Sequence, residues 1–174
     1  MGEQSNKDYN EMFEEAKIRG LCAAISADME SLLFRLILYC IIDDPSVAFR
    51  EFSTMTLGGK LHWAQKDLKK YHHSKYLEHE EDFKWLWEFN KFRGQLIHCD
   101  FVWKDKTYNQ FDVLDIQLIN DEWRIVPITY TKQDVVKKLG DFGIMIKKFG
   151  ETTLDIIEAV TQKYPNLINS NNAS

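Results

Sequence analysis

Residues suited to chemistry concentrate in one stretch of the chain, residues 83–100, with the sequence FKWLWEFNKFRGQLIHCD. It contains Arg93 and, five positions later, His98. A guanidinium group can hold a phosphate through two hydrogen bonds and stabilise charge that develops on its oxygens. An imidazole can accept a proton near neutral pH and return it to a leaving group. Together, these two residue types suit chemistry at a phosphate.

The apolar residues of the same stretch predict a helix. They fall at steps of four, three and four, which places them on one helical stripe: Trp85, Phe89, Phe92 and Leu96. On such a helix His98 lies about 140° around the axis from Arg93 and about 7.5 Å further along it. The two side chains therefore do not share a face, although the long arginine can reach towards the helix end.

Gly94 lies one turn before His98, on the same face. A glycine inside a helix costs about 1 kcal/mol relative to alanine, so its presence favours a close approach of another backbone or of a ligand. Lys91 and Gln95 are polar neighbours. These three residues are the candidates for substrate binding, beside Arg93 and His98 as candidate catalytic residues.

The composition predicts a folded protein with a single domain. The chain has 174 residues, of which 44% are hydrophobic and 13% aromatic, enough for a sizeable core. We expect this domain to cover residues 1–164 and the polar sequence PNLINSNNAS to form a tail at residues 165–174. A formal net charge of -5 argues against a surface that coats nucleic acid, but it allows a local basic patch.

The sequence predicts a cytoplasmic location. The first 16 residues are polar and acidic, unlike a secretory signal. The most apolar run, residues 32–42, is shorter than the roughly 20 residues that cross a bilayer, so no membrane association is expected. Three scattered cysteines, Cys22, Cys40 and Cys99, suit a reducing compartment.

The first part of the chain reads as helical. Residues 7–42 predict one long helix, or two with Gly20 as a joint, whose inward stripe is Leu21, Ile25, Met29, Leu32, Leu36 and Tyr39. Asp43, Asp44 and Pro45 are expected to end it. A short helix follows within residues 46–56. Thr56 or the Gly58–Gly59 pair then opens a firmer helix, at about residues 61–71, with Leu61, Ala64 and Leu68 inward.

The outer side of that firmer helix is rich in basic residues and leads into further lysine and histidine residues. It is either a solvated face or a surface that contacts phosphate: Lys60, Lys66, Lys69, Lys70, His72, His73 and Lys75. The histidines show no spacing typical of a metal site, in particular His62, His72, His73 and His79. We therefore expect neither a metal nor a cofactor.

After residue 110 the spacing of apolar residues changes from that of a helix to every second residue, which predicts a β-hairpin over residues 111–130. Leu114, Ile116 and Leu118 alternate with polar residues, which suggests one covered face. Asn120-Asp121 is typical of a turn, and Pro127 makes the second strand an edge strand. Residues 101–110 are either a loop or a further short strand.

The last helix is predicted to begin at a capping box formed by Thr131 and Asp134. Its seam alternates steps of four and three through Val135, Leu139, Phe142, Ile146, Phe149, Thr153, Ile156 and Val160. Glycines in it suggest close contacts, or a kink near Gly150: Gly140, Gly143 and Gly150. The fold class predicted is mainly α, an up-and-down bundle of four to five helices with the β-hairpin inserted before the last helix.

This arrangement, with a helix that ends in FRGQLIHCD, resembles the HEPN superfamily. These small all-α domains carry an R-x4-6-H motif near the end of their third long helix, and Arg93 and His98 match it. The resemblance covers roughly residues 20–163. Family members often have asparagine or another polar residue after the arginine, where this chain has Gly94. The hairpin is an addition to the family core.

The resemblance implies a homodimer with the motif helices near the two-fold axis and one Arg93 and one His98 from each copy in a shared cleft. It implies metal-independent cleavage of RNA through attack of a 2′-hydroxyl, which leaves a 2′,3′-cyclic phosphate. Such an enzyme acts as a toxin or antiviral-defence effector, and an antitoxin or regulatory protein would then be a further partner.

Two alternatives stay open at this point. The chain is a HEPN-like dimeric regulator or interaction module without catalysis, in which Arg93 and His98 form a structural pair. Otherwise it is an unrelated helical scaffold that contains the motif by chance. The negative net charge favours the non-catalytic dimer over the ribonuclease, because RNA affinity rises with the number of phosphates neutralised.

Overall fold

The computed structural model describes residues 2–40 and 45–163. The predicted tail at residues 165–174 and the helix-ending residues Asp43 and Asp44 lie outside them. The described helices are α1 (Gly2–Cys40), α2 (Pro45–Thr54), α3 (Leu57–Tyr71), α4 (His73–Glu78), α5 (Glu80–His98) and α6 (Lys132–Lys163). The strands are β1 (Phe101–Trp103), β2 (Gln110–Ile119) and β3 (Glu122–Thr131). The mainly α prediction is confirmed, with six described helices rather than four to five.

The described chain divides into two compact units. The first, here called the sheet unit, contains residues up to Ile25 and Phe89–Gly143. The second, the helical unit, contains Ser26–Glu88 and the chain from Ile144 onward. Since α1, α5 and α6 pass from one unit into the other, each supplies a segment to both.

Helix α1 continues through Gly20 without a break, and its buried face agrees with the predicted stripe only at Met29 and Leu36. Leu21 is 47% exposed and Tyr39 is also exposed. The buried apolar residues are Ile18, Cys22, Met29, Leu33, Leu36, Ile37 and Cys40. Because α1 is apolar on several sides, its periodicity predicts a helix but does not determine which side is covered.

The sheet has the order β1-β2-β3 and is antiparallel throughout. The predicted hairpin is confirmed, with Ile119 paired to Glu122 across the turn. Asn120 and Asp121 have φ of 51° and 64°, the left-handed backbone that a two-residue type I′ turn requires. The edge position of Pro127 is also confirmed, and β1 shows that part of residues 101–110 is a third strand.

The covered face of the hairpin is opposite to the prediction. Phe111 and Val113 are buried, whereas Ile116 and Leu118 are 64% and 55% exposed. The polar residues between them point inward because they have a partner there: the Gln95 Nε2 of α5 donates to Asp115 over 3.3 Å. The half-buried, hydrogen-bonded carboxylate of Asp115 thus lies on the covered face together with Phe111 and Val113.

Aromatic residues hold the core of the sheet unit. The ring of Phe111 stacks on Phe101 with 4.5 Å between centroids. On α5, the Phe92 ring lies 5.8 Å from Tyr130 of β3 and 5.9 Å from Phe142 of α6. Strand and helix are thereby joined around the same stretch that carries Arg93 and His98.

Within the helical unit, the prediction for α3 is confirmed and that for the start of α5 is not. Leu61, Ala64 and Leu68 are buried, and the Thr56 side chain accepts a hydrogen bond from Gly59 N as the N-cap. Trp85 is 42% exposed, and Phe83 is buried instead.

Helix α6 follows the predicted seam completely. All eight seam residues are buried. Its predicted start is also confirmed, because Thr131 Oγ1 accepts from Asp134 N at 3.1 Å and donates to the Asp134 carboxylate at 2.6 Å. A Cβ added at Gly150 would make ordinary contact with Leu32, 3.9 Å from the nearest methyl carbon.

Candidate functional site

The candidate site lies at the end of α5, where the helix meets the sheet. His98 is the last residue of α5 and is exposed. Its imidazole has no hydrogen-bond or ion-pair partner among the residues that the structure describes. A helix end leaves carbonyl groups without intrahelical donors, and a following glycine often satisfies them. Here Cys99 follows, so the donors must come from elsewhere.

Arg19 of α1 supplies those donors. Its guanidinium donates to the carbonyl oxygen of Ile97 and, at 2.9 Å, to that of Cys99. It lies 5.1 Å from the ring centroid of Phe101 and pairs with Glu15 at 2.5 Å. The two accepting carbonyls stand on either side of His98. Sequence reasoning missed Arg19, because its partners are 78 and 80 residues away and a lone helical arginine belongs to no motif.

Arg93 is half-buried and lies towards α1. Burial raises the pKa of the Cys22 thiol to about 11, while the nearby positive charge of Arg93 opposes this rise. Arg93 is therefore close to a buried thiol of the sheet unit.

Gln95 connects α5 to the hairpin. Its side-chain oxygen accepts from the Tyr130 hydroxyl at 2.8 Å, and its nitrogen donates to Asp115. Both ends of the amide are thus engaged with the sheet. A role of Gln95 towards a substrate stays a prediction, as it does for Lys91, whose side chain is exposed.

Gly94 faces open space. Apart from its chain neighbours and the adjacent backbone of α5 itself, no atom of the described chain lies within 4 Å of the position that a Cβ would take there. The close approach expected from the sequence is therefore not made by the described part of this chain, and the surface remains accessible to another molecule. The same holds for Gly140 and Gly143, for which close contacts were also expected.

The basic surface predicted around α3 is smaller than expected. Lys60 is buried, pairs with Glu30 at 2.5 Å and lies over the Phe52 ring. Its inclusion in an outer basic face was wrong, because the ammonium has an inward partner of opposite charge. Lys75 of α4 is also paired, with Glu78 at 2.7 Å.

One histidine lies among carboxylates that the sequence did not associate with it. Ligand atoms of Glu78, His79 and Asp155 lie within 4.8 Å of one another. His79 Nε2 is 3.0 Å from Asp155, and the Lys75 ammonium lies 3.1 Å from the same carboxylate. A cation of the protein thus already occupies this cluster, which is an ion-pair network at the surface of the helical unit.

A groove of about 620 Å³ runs along α1 within the sheet unit. Its floor consists of small and apolar residues, namely Ala16, Gly20, Leu21, Ala24 and Val136. Glu14, Lys17 and Lys132 line its charged side, where Glu14 pairs with both lysines. The groove offers an exposed apolar surface on the same helix that holds Arg19.

None of the described helices combines the length and the apolar composition that crossing a membrane requires. No family model matches the chain, and no curated protein or solved structure is significantly similar to it. A functional proposal therefore rests on the residues of the site and on the resemblance of its motif.

Proposed function

We propose that this chain is a metal-independent endoribonuclease of HEPN type that acts at the end of α5. One observation carries the proposal: an exposed His98, which has no partner within the described part of the chain, stands at a helix end whose flanking carbonyls are held in place, five residues after an arginine. An unpartnered imidazole is available for proton transfer, which a histidine engaged in the core is not. A toxin or antiviral-defence role, with an antitoxin or regulatory partner, belongs to the same proposal.

The reaction needs only the groups of Arg93 and His98. His98 removes the proton of a ribose 2′-hydroxyl, and the oxygen attacks the adjacent phosphorus. The bond from phosphorus to the 5′-oxygen breaks, and that oxygen takes a proton from an imidazolium. Arg93 neutralises the charge on the non-bridging oxygens. The products are a 2′,3′-cyclic phosphate and a free 5′-hydroxyl.

A homodimer would supply two imidazoles, one as base and one as acid. The groove of the sheet unit supports a second copy at α1, since Ala16, Gly20 and Ala24 recur every four residues. Small residues at this spacing allow a second helix to approach closely. Gly94 has the space to face either the second copy or RNA.

The test is RNA cleavage by the purified protein in EDTA. We expect cyclic-phosphate ends, and a loss of roughly 10²-fold or more in rate for both His98→Ala and Arg93→Ala. His62→Ala, which removes an exposed histidine of α3, is the matched control and should cleave like the wild type. RNA cleavage that persists in His98→Ala would contradict the proposed site.

A second candidate is a non-catalytic HEPN-like dimer that regulates or binds a protein partner. The partial burial of Arg93, whose positive charge acts on the buried Cys22 thiol, favours it, because a half-buried arginine suits a packing role. In that case the wild type cleaves none of a varied set of RNAs, and Arg93→Ala lowers the melting temperature instead.

A further inference from the structure

We infer that Arg19 is a positioning residue that holds the end of α5 and thereby sets the place of His98. The inference rests on the proposed function in so far as His98 acts on RNA. The described contacts of the Arg19 guanidinium are with the carbonyls of Ile97 and Cys99, with Glu15 and with the Phe101 ring, and none is with the imidazole. Arg19 acts through the backbone on both sides of His98.

The need for Arg19 follows from the way α5 ends. No glycine follows His98, and β1 begins only three residues later, at Phe101. The chain must leave the helix and enter the sheet within Cys99 and Asp100. The carbonyls of Ile97 and Cys99 therefore lack helical donors, and the two terminal nitrogens of Arg19 provide them.

The position of Arg19 is itself well defined. Glu15, one turn earlier on α1, pairs with the guanidinium, and the Phe101 ring lies against it. Its Nε is buried without a hydrogen-bond partner in the described structure. A planar guanidinium can bond two carbonyls at once, whereas an ammonium presents a single charged point.

The sheet fixes the other side of the same turn. Leu114 N of β2 donates to the carbonyl of Asp100 over 3.2 Å. His98 thus belongs to a segment whose peptide groups are bonded before and after it, by α1 and by β2. Because both terminal nitrogens of Arg19 are engaged, the arginine cannot turn to a phosphate without releasing this segment.

The experiment compares Arg19→Lys with Arg35→Lys, a substitution of an exposed arginine on the same helix. Hydrogen exchange and NMR of the His98 imidazole, assigned with His98→Gln, are measured without any RNA. For Arg19→Lys we expect exchange of the amides of residues 98–102 to rise roughly tenfold, and the His98 resonances to shift. The RNA cleavage assay should show kcat reduced by roughly 10²-fold with KM nearly unchanged, since a small misplacement is enough. Arg35→Lys should change none of these.

A milder substitution covers the case in which Arg19→Lys fails to fold. Glu15→Gln leaves the arginine in place but removes the ion pair that orients it, so the same exchange should rise by about two- to threefold. Unchanged exchange and unchanged His98 resonances in both variants would overturn the inference. Faster amide exchange in Arg19→Lys, combined with RNA cleavage at the wild-type rate, would overturn it as well. A wild type that cleaves no RNA would refute the proposed ribonuclease. The amide exchange and the His98 resonances would still show whether Arg19 determines the position of His98.

Discussion

Single residues of this chain differ in how much of their role the sequence reveals. The sequence identifies Arg93 and His98 as candidate site residues because they stand five positions apart near the end of a predicted helix. The sequence does not identify Arg19, because its partners at the end of α5 are brought to it only by folding. The contact of His79 with Asp155 cannot be predicted from the sequence either, because the two residues are 76 positions apart and only folding brings them together. A site can be predicted where its residues are neighbours in sequence, and not where the fold assembles them.

The pair of His79 and Asp155 predicts a specific dependence of stability on pH. The hydrogen bond from His79, and then that from Lys75, hold the pKa of Asp155 below its usual range. A carboxyl whose folded pKa is lowered stabilises the fold above its unfolded pKa of about 3.9. That stabilisation is lost as the pH falls through the folded value. Asp155→Asn should therefore lower the free energy of unfolding at pH 6, by a small amount because Asp155 is exposed, and lower it by less at pH 3, below the unfolded pKa.

Urea unfolding at the two pH values measures this difference. Asp141→Asn is the control, because Asp141 is an exposed aspartate of the same helix without a described ion-pair partner. A loss of stability that is equal at pH 6 and pH 3 would show that Asp155 acts through something other than its charge.

At the scale of elements, periodicity predicts type and position better than orientation. The seam of α6 was predicted completely because only one of its sides is apolar enough to be covered. The hairpin was predicted as well, but its covered face was not. Phe111 and Val113 occupy one face and Leu114, Ile116 and Leu118 the other, and the covered face is the one on which Asp115 accepts a hydrogen bond from the side-chain amide of Gln95. The alternation of apolar residues contains no information about that distant amide.

The N-terminal cap of α6 is expected to stabilise the whole helix. Thr131 caps the helix with hydrogen bonds to both the backbone and the side chain of Asp134. Thr131→Ala should lower the free energy of unfolding by about 1 kcal/mol, since the first backbone N–H groups lose an acceptor. Thr131→Ser retains the hydroxyl and should lose much less. Chemical denaturation of the three proteins measures the difference, and equal stability of Thr131→Ala and wild type would contradict the role of the cap.

At the scale of the whole molecule, the groove on α1 is the feature that connects the fold to the proposed dimer. Its floor is apolar, exposed and built of small residues beside one charged side, within a chain of net negative charge. Folding of one copy alone leaves this surface in water, where apolar area is unfavourable. A second copy would cover it.

Light scattering of the purified protein tests this assembly. We expect a dimer for the wild type and a monomer for Ala24→Glu, which places an unpaired charge in the groove. Ala23→Glu is the matched control, because the exposed Ala23 lies outside the groove lining, about 100° around the helix. A wild type that stays monomeric at high concentration, or a dimeric Ala24→Glu, would exclude the groove as the dimer interface.

The buried cysteines give the two units separate reporters of their opening. Cys22 lies in the sheet unit and Cys40 in the helical unit. Burial raises the pKa of these thiols to about 11 and about 12, with Arg93 opposing the rise at Cys22 alone. Only a thiolate reacts readily, so at neutral pH each cysteine reacts with a thiol reagent when its own unit opens. The ratio of the two labelling rates, read by mass spectrometry, then measures whether the units unfold as one cooperative body or one before the other.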